Sequence, residues 1–110
     1  QGRIVVDDEH APPIERAGGL ARFVDLAPPH WTLPLEAIAA AVGPRTRLLI
    51  LNTPNNPVGS LATRAELEGI ARLAEAHDFL VLADEVWEAM LSPGAEHLSP
   101  LALPALRERT

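Results

Sequence analysis

Two unbroken apolar runs with an amphipathic helix between them constrain this chain more than anything else in it. Leu48 to Leu51 reads "LLIL" and Phe79 to Ala83 reads "FLVLA". Neither alternates, which is the pattern of a strand covered on both faces. Between them Thr63 and Glu66 form a Thr-x-x-Glu capping box. Leu67, Ile70, Ala71 and Ala74 follow at i, i+3, i+4 and i+7, one face of a helix, with His77 in its last turn. Strand, helix and strand of this kind predict a right-handed crossover in a parallel sheet, hence an α/β fold. Such sheets bind ligands in the crevice beyond the carboxyl ends of their strands. Asn55 and Asn56, in the run "PNNPVG", lie just past the first strand, and Asp84 ends the second. If the two strands are near neighbours, an amide and a carboxylate face one crevice.

The rest of the chain reads as further alternation. Ile4 to Asp7 is a short strand; Pro12 and Pro13 suit a helix start, and Gly18-Gly19 its end. "ARFVDL" is a second short strand, "APPHWTLP" a surface connector, and "LEAIAAAV" a short helix stopped by Gly43-Pro44. The tail after Leu91 reads as loop followed by a short helix. There is no internal repeat. A length of 110 residues suits one domain or a piece of one. The net charge of −6 has no basic cluster within it, which argues against nucleic acid as a partner. No apolar run approaches the roughly 18 residues of a membrane span, and the first residues lack a signal-peptide pattern, so a cytoplasmic protein is expected. Cysteine is absent, which removes disulfides, thiolate metal sites and a cysteine nucleophile. All nine basic residues are Arg, so no side chain here can form a Schiff base with a carbonyl.

A carboxylate at the end of an apolar strand is costly to bury without a partner. Asp84 either caps its own turn, meets an Arg, or holds a proton on a basic heterocycle nitrogen. Asn56 carries both donor and acceptor atoms and can hold a phenolic oxygen of the same ring, with its direction restricted by Pro54 and Pro57; "PNNPVG" also reads as a plain turn. "DDEH" at 7 to 10 reads as an exposed acidic turn rather than a metal site. His30, His77 and His97 show no ligand spacing and read as structural or exposed.

The stretch "LNTPNNPVGSLATRAELEGIARLAEAHDFLVLADEVWEAM" resembles the class I and II aminotransferases, pyridoxal-phosphate enzymes of fold type I. The flanks "AGGLARFVDLAPPHWTLPLEAIAAAVGPRTR" and "HLSPLALPALRERT" are similar to the same family, the tail most to its kynurenine and glutamine aminotransferase-like branch. The likeness is strongest from 48 to 90. It implies that residues 1–110 are part of the family's large domain, a three-layer α/β/α architecture around a mostly parallel sheet, truncated at both ends. It implies pyridoxal 5'-phosphate as cofactor, with Asp84 pairing the pyridine nitrogen, Asn56 the ring oxygen, and Trp87 beside them where the family usually has Tyr. The implied reaction moves an amino group between an amino acid and a 2-oxo acid, and the implied assembly is a homodimer. The family's catalytic lysine has no counterpart among these residues and is expected beyond Thr110, so the isolated chain is expected to be inactive. The family's stacking aromatic near positions 4 to 10 is also missing, with His10 the one ring available there. Two other readings stay open: a carbon–sulfur lyase using the same cofactor, and a non-catalytic remnant of the fold.

Overall fold

The structure, a computed structural model, describes residues 3–6 and 11–110. In chain order the elements are β1 (Arg3–Val6), α1 (Ala11–Arg16), β2 (Leu20–Phe23), α2 (Leu35–Ala41), β3 (Thr46–Asn52), α3 (Arg64–His77), β4 (Leu80–Asp84), a 3-10 turn (Pro100–Ala102) and α4 (Pro104–Arg107). The strands form one sheet in the order β2-β1-β3-β4, and every pairing is parallel. Most predicted elements lie within a residue or two of their expected places. β3 runs two residues further at its start and one further at its end than the apolar run alone suggested, and β2 ends at Phe23, three residues short of the end of "ARFVDL". The acidic turn "DDEH" and His10 lie outside the described residues.

Helix α3 is the best-specified element, and local chemistry explains both of its ends. The Thr63 hydroxyl accepts the Glu66 N–H (3.2 Å), while Glu66 Oε2 accepts the Thr63 N–H (2.7 Å), which completes the capping box. The other oxygen, Glu66 Oε1, accepts the N–H of Leu33 at 2.7 Å, so the cap also ties down the proline-rich connector. At the far end Asp78 adopts a left-handed conformation (φ 53°), and its N–H closes on the Ala74 carbonyl. The chain therefore reverses at once into β4. Phe79, fully buried, seals the corner.

The predicted face of α3 is the face that packs. Leu67, Ile70, Ala71 and Ala74 are all buried, against Leu49 and Leu51 of β3, Val81 of β4, Ile38 of α2, and Leu103 and Leu106 of the tail. These residues enclose a single cluster on one side of β3 and β4. The close approach of α2 and α3 is set by Gly69, whose missing side chain leaves room for Leu35.

Among the described residues, one face of β3 and β4 is covered and the other is left open. Leu49, Leu51 and Val81 are buried, but Leu80 and Leu82 are 55% and 47% exposed. The register pairs Leu48 with Leu80 and Ile50 with Leu82, so these four residues form one apolar stripe on the opposite side of the sheet. The helices α2, α3 and α4 contribute to the first side, and on the other side Leu80 and Leu82 stay exposed. The free edge of β4 is shielded in part by the tail: the Val81 N–H donates to the Arg109 carbonyl (2.8 Å), and Arg109 Nη1 meets Asp78 Oδ1 at 2.8 Å. No described helix is long and apolar enough to cross a membrane.

Candidate functional site

The two strands that carry the candidate residues are direct neighbours. Asn52, the last residue of β3, is in register with Asp84, the last of β4, and the Thr53 N–H donates to the Asp84 carbonyl at 3.0 Å. The carboxyl ends of both strands thus finish at one level, the place where parallel sheets bind ligands.

The turn after β3 is held by its own polar groups. Asn52 Oδ1 accepts the Asn56 N–H (3.0 Å), and the Asn55 N–H donates to the Ser60 carbonyl (2.9 Å). The Gly59 N–H donates to the Asn55 carbonyl (2.7 Å), with Gly59 at φ +71°, a left-handed geometry that glycine adopts freely. Thr53, buried, accepts the Ala62 N–H on its hydroxyl at 3.0 Å. The N–H groups of Asn55, Asn56 and Gly59 are thereby satisfied within the turn, and the exposed Asn56 is carried on that base. Asn52 is a supporting residue that the sequence did not single out. The only trace of it there is a lone amide at the end of an apolar run.

The turn after β4 is built similarly. Asp84 Oδ1 accepts the Val86 N–H at 3.2 Å, so Asp84 does cap its own turn, one of the roles the sequence left open. Successive turns follow: the Glu88 N–H donates to the Glu85 carbonyl and the Met90 N–H to the Trp87 carbonyl, both at 2.9 Å. They place Trp87 opposite Asn56.

Between these two turns lies an open cleft of about 330 Å³. Pro54, Asn55, Asn56, Pro57, Gly59 and Leu61 form one wall; Trp87, Met90, Leu91, Ser92 and Ala95 form the other. Asn56 and Trp87 therefore line one space. Asp84 stands at the strand end beside it without lining it. The volume is at the small end of the range for sites that hold a small organic ligand, roughly 300–1,000 Å³. The cleft thus offers the Asn56 amide and the Trp87 indole on largely apolar walls, with the Asp84 carboxylate at the strand end beside it.

Of the histidines read as structural or exposed, His97 is structural: it is largely buried, with a side chain 7% exposed, and its Nε2 meets Glu85 Oε2 at 2.5 Å. Ser99 Oγ donates to the other oxygen, Glu85 Oε1, at 2.9 Å. Glu85, Glu88 and His97 present potential ligand atoms within 4.8 Å of one another. Here His97 and Ser99 hydrogen-bond the Glu85 carboxylate directly. Nothing local in the sequence links residues twelve and fourteen positions apart in a loop.

The chain matches the family described as "Aminotransferase class I and II" over residues 8–106. It is 37% identical over 114 aligned residues to kynurenine–oxoglutarate transaminase 1 of Rattus norvegicus, which takes in 94% of this chain and 27% of that protein. It is 38% identical over 102 residues to methionine aminotransferase of Escherichia coli K12, covering 93% of this chain and 26% of that protein. Among solved structures, N-succinyldiaminopimelate aminotransferase from Mycobacterium tuberculosis superposes with a TM-score of 0.92 at 33% identity, over 98% of this chain and 30% of that one. The chain thus spans between a quarter and a third of the length of these relatives.

Proposed function

The chain belongs to the class I and II aminotransferases, and from that premise we propose that its cleft holds the ring of pyridoxal 5'-phosphate. The observation that carries this reading is the register of Asn52 with Asp84, which brings the Asn55–Asn56 turn and a strand-end carboxylate to one end of the sheet. When bound, the cofactor supplies an electron sink that stabilises a carbanion at the carbon of an amino acid that loses its proton.

The residues of this chain orient the ring and set its charge. The Asp84 carboxylate accepts the pyridinium N–H and keeps that nitrogen protonated through a charge-assisted hydrogen bond. The Asn56 side-chain N–H donates to the ring oxygen, and its direction follows from the Asn52 bond to its backbone. The Trp87 indole closes the cleft from the opposite wall and limits water access to the ring. Having no lysine, the chain itself supplies no amine for covalent attachment or for proton transfer, and we expect no transaminase turnover from these residues alone. Amino-group transfer between an amino acid and a 2-oxo acid is assigned to the whole protein. The names of the relatives, transaminases all, favour this over carbon–sulfur lysis.

The test is binding of pyridoxal 5'-phosphate to the chain and its Asp84→Asn and Asn56→Ala variants, followed by ligand-observed NMR and by absorbance. Asp84→Asn removes the charge at nearly constant shape. A hydrogen bond to a charged group contributes about 1.5–3 kcal/mol, so affinity should fall about ten- to a hundredfold. The pyridine nitrogen of the bound ring should also lose its proton at lower pH. Equal affinity and an equal titration midpoint in wild type and Asp84→Asn would refute the assignment.

A further inference from the structure

The Glu85–His97–Ser99 cluster lies outside the cofactor contacts assigned above, yet it closes the base of the loop that forms half of the cleft. Residues 86 to 96 leave β4 at Asp84 and return at His97. The loop carries Trp87, Met90 and Leu91 on the cleft wall, and Val86 and Met90 are strongly exposed. A loop with so little buried apolar surface takes its position from its two ends. One end is the last residue of β4. The other is set by Ser99, whose hydroxyl also accepts the Leu101 N–H (3.2 Å), and by the buried Pro100 after it. Glu85 joins the two ends. Its two oxygens take a hydrogen bond each, from His97 Nε2 and from Ser99 Oγ.

Successive residues of an extended chain point to opposite sides. Pinning the Glu85 side chain therefore fixes the rotation of the backbone that presents Asp84. The same constraint sets the start of the turns that bring Trp87 across from Asn56. His97 Nδ1 is buried with no hydrogen-bond partner, so the bond from Nε2 to Glu85 is what holds this ring.

We propose that Glu85 is a positioning residue for the cleft: by tying His97 and Ser99 to the end of β4, it sets Asp84 and Trp87 against Asn56. Its consequence for cofactor affinity rests on the reading above; its consequence for Trp87 does not.

The test uses a Trp31→Phe background, which leaves Trp87 as the one indole of the chain. Acrylamide quenching of Trp87 and pyridoxal 5'-phosphate affinity are measured for Glu85, Glu85→Gln, Glu85→Ala and Ser99→Ala, with far-UV circular dichroism to verify folding. Glu85→Ala should raise the Trp87 quenching constant about twofold and weaken the cofactor about tenfold, the equivalent of one charged hydrogen bond. Glu85→Gln retains an acceptor and should recover part of both; Ser99→Ala removes one donor and should fall between. Unchanged Trp87 quenching in the folded variants overturns the proposal. If Glu85→Ala does not fold, Glu85→Gln and Ser99→Ala decide the question by the same two readings. A wild type that binds no cofactor refutes the cofactor assignment alone, because the quenching series still decides what Glu85 does.

Discussion

Replacing Gly69 by Ala sets two well-characterised effects against each other. Gly69 is buried in the middle of α3, where glycine costs about 1 kcal/mol relative to alanine through backbone entropy. On helix propensity alone, Gly69→Ala should stabilise the chain. The packing opposes this. A Cβ at Gly69 would overlap Leu35 Cδ1 and stand 3.0 and 3.3 Å from Leu35 Cδ2 and Cγ. Turning one methyl away still leaves the branch carbon 3.3 Å from the new Cβ, so the Leu35 side chain or its helix must shift. Overpacking of this kind costs about 1–3 kcal/mol. The difference is a net loss of about 1 kcal/mol, or about 4–8 °C in melting temperature for a domain of this size. Urea unfolding or a thermal melt of the four members of a double-mutant cycle with Leu35→Ala reads it directly. With Leu35 truncated the overlap is gone, and Gly69→Ala should then stabilise by about 1 kcal/mol, giving a coupling of about 2 kcal/mol. A Gly69→Ala variant that is more stable than wild type, or equally destabilised in both backgrounds, would show that the helix–helix contact does not limit this position.

The other predictions concern the cap and the bare sheet face. Thr63→Ala should cost about 1 kcal/mol, as for other lost N-caps. Glu66→Ala should cost about 2 kcal/mol, because it also leaves the Leu33 N–H without its acceptor; denaturant midpoints in which Thr63→Ala costs as much or more would count against the long-range half of that cap. Leu80→Thr with Leu82→Thr keeps β propensity while removing apolar surface from the uncovered stripe. The double variant should fold and show less self-association than wild type by sedimentation velocity, and an unchanged association state would mean that this face does not drive it.

The unit most legible in the sequence was the one whose signals are local. The capping box, the i, i+3, i+4, i+7 spacing of α3 and the apolar run of β4 are short-range patterns, and each appears where it was expected. Asn56 and Asp84 were legible for the same reason: residues just past the ends of parallel strands share one edge of the sheet once the crossover is right-handed and the strands are adjacent. Trp87 was placed by family likeness, and the structure sets it across the cleft from Asn56.

What the chain decided by itself, then, is the strand–helix–strand unit and the end of the sheet to which the candidate residues are brought, because hydrophobic period and capping act between near neighbours in sequence. Tertiary structure decided the rest. The Leu33–Glu66 bond spans 33 positions, and the Glu85 cluster closes a loop whose sequence carries no periodic signal. An unbroken apolar run marks a strand as apolar on both sides, but not which side its own helices will cover. That depends on where α2, α3 and α4 are carried by their connections, and here they leave Leu80 and Leu82 bare.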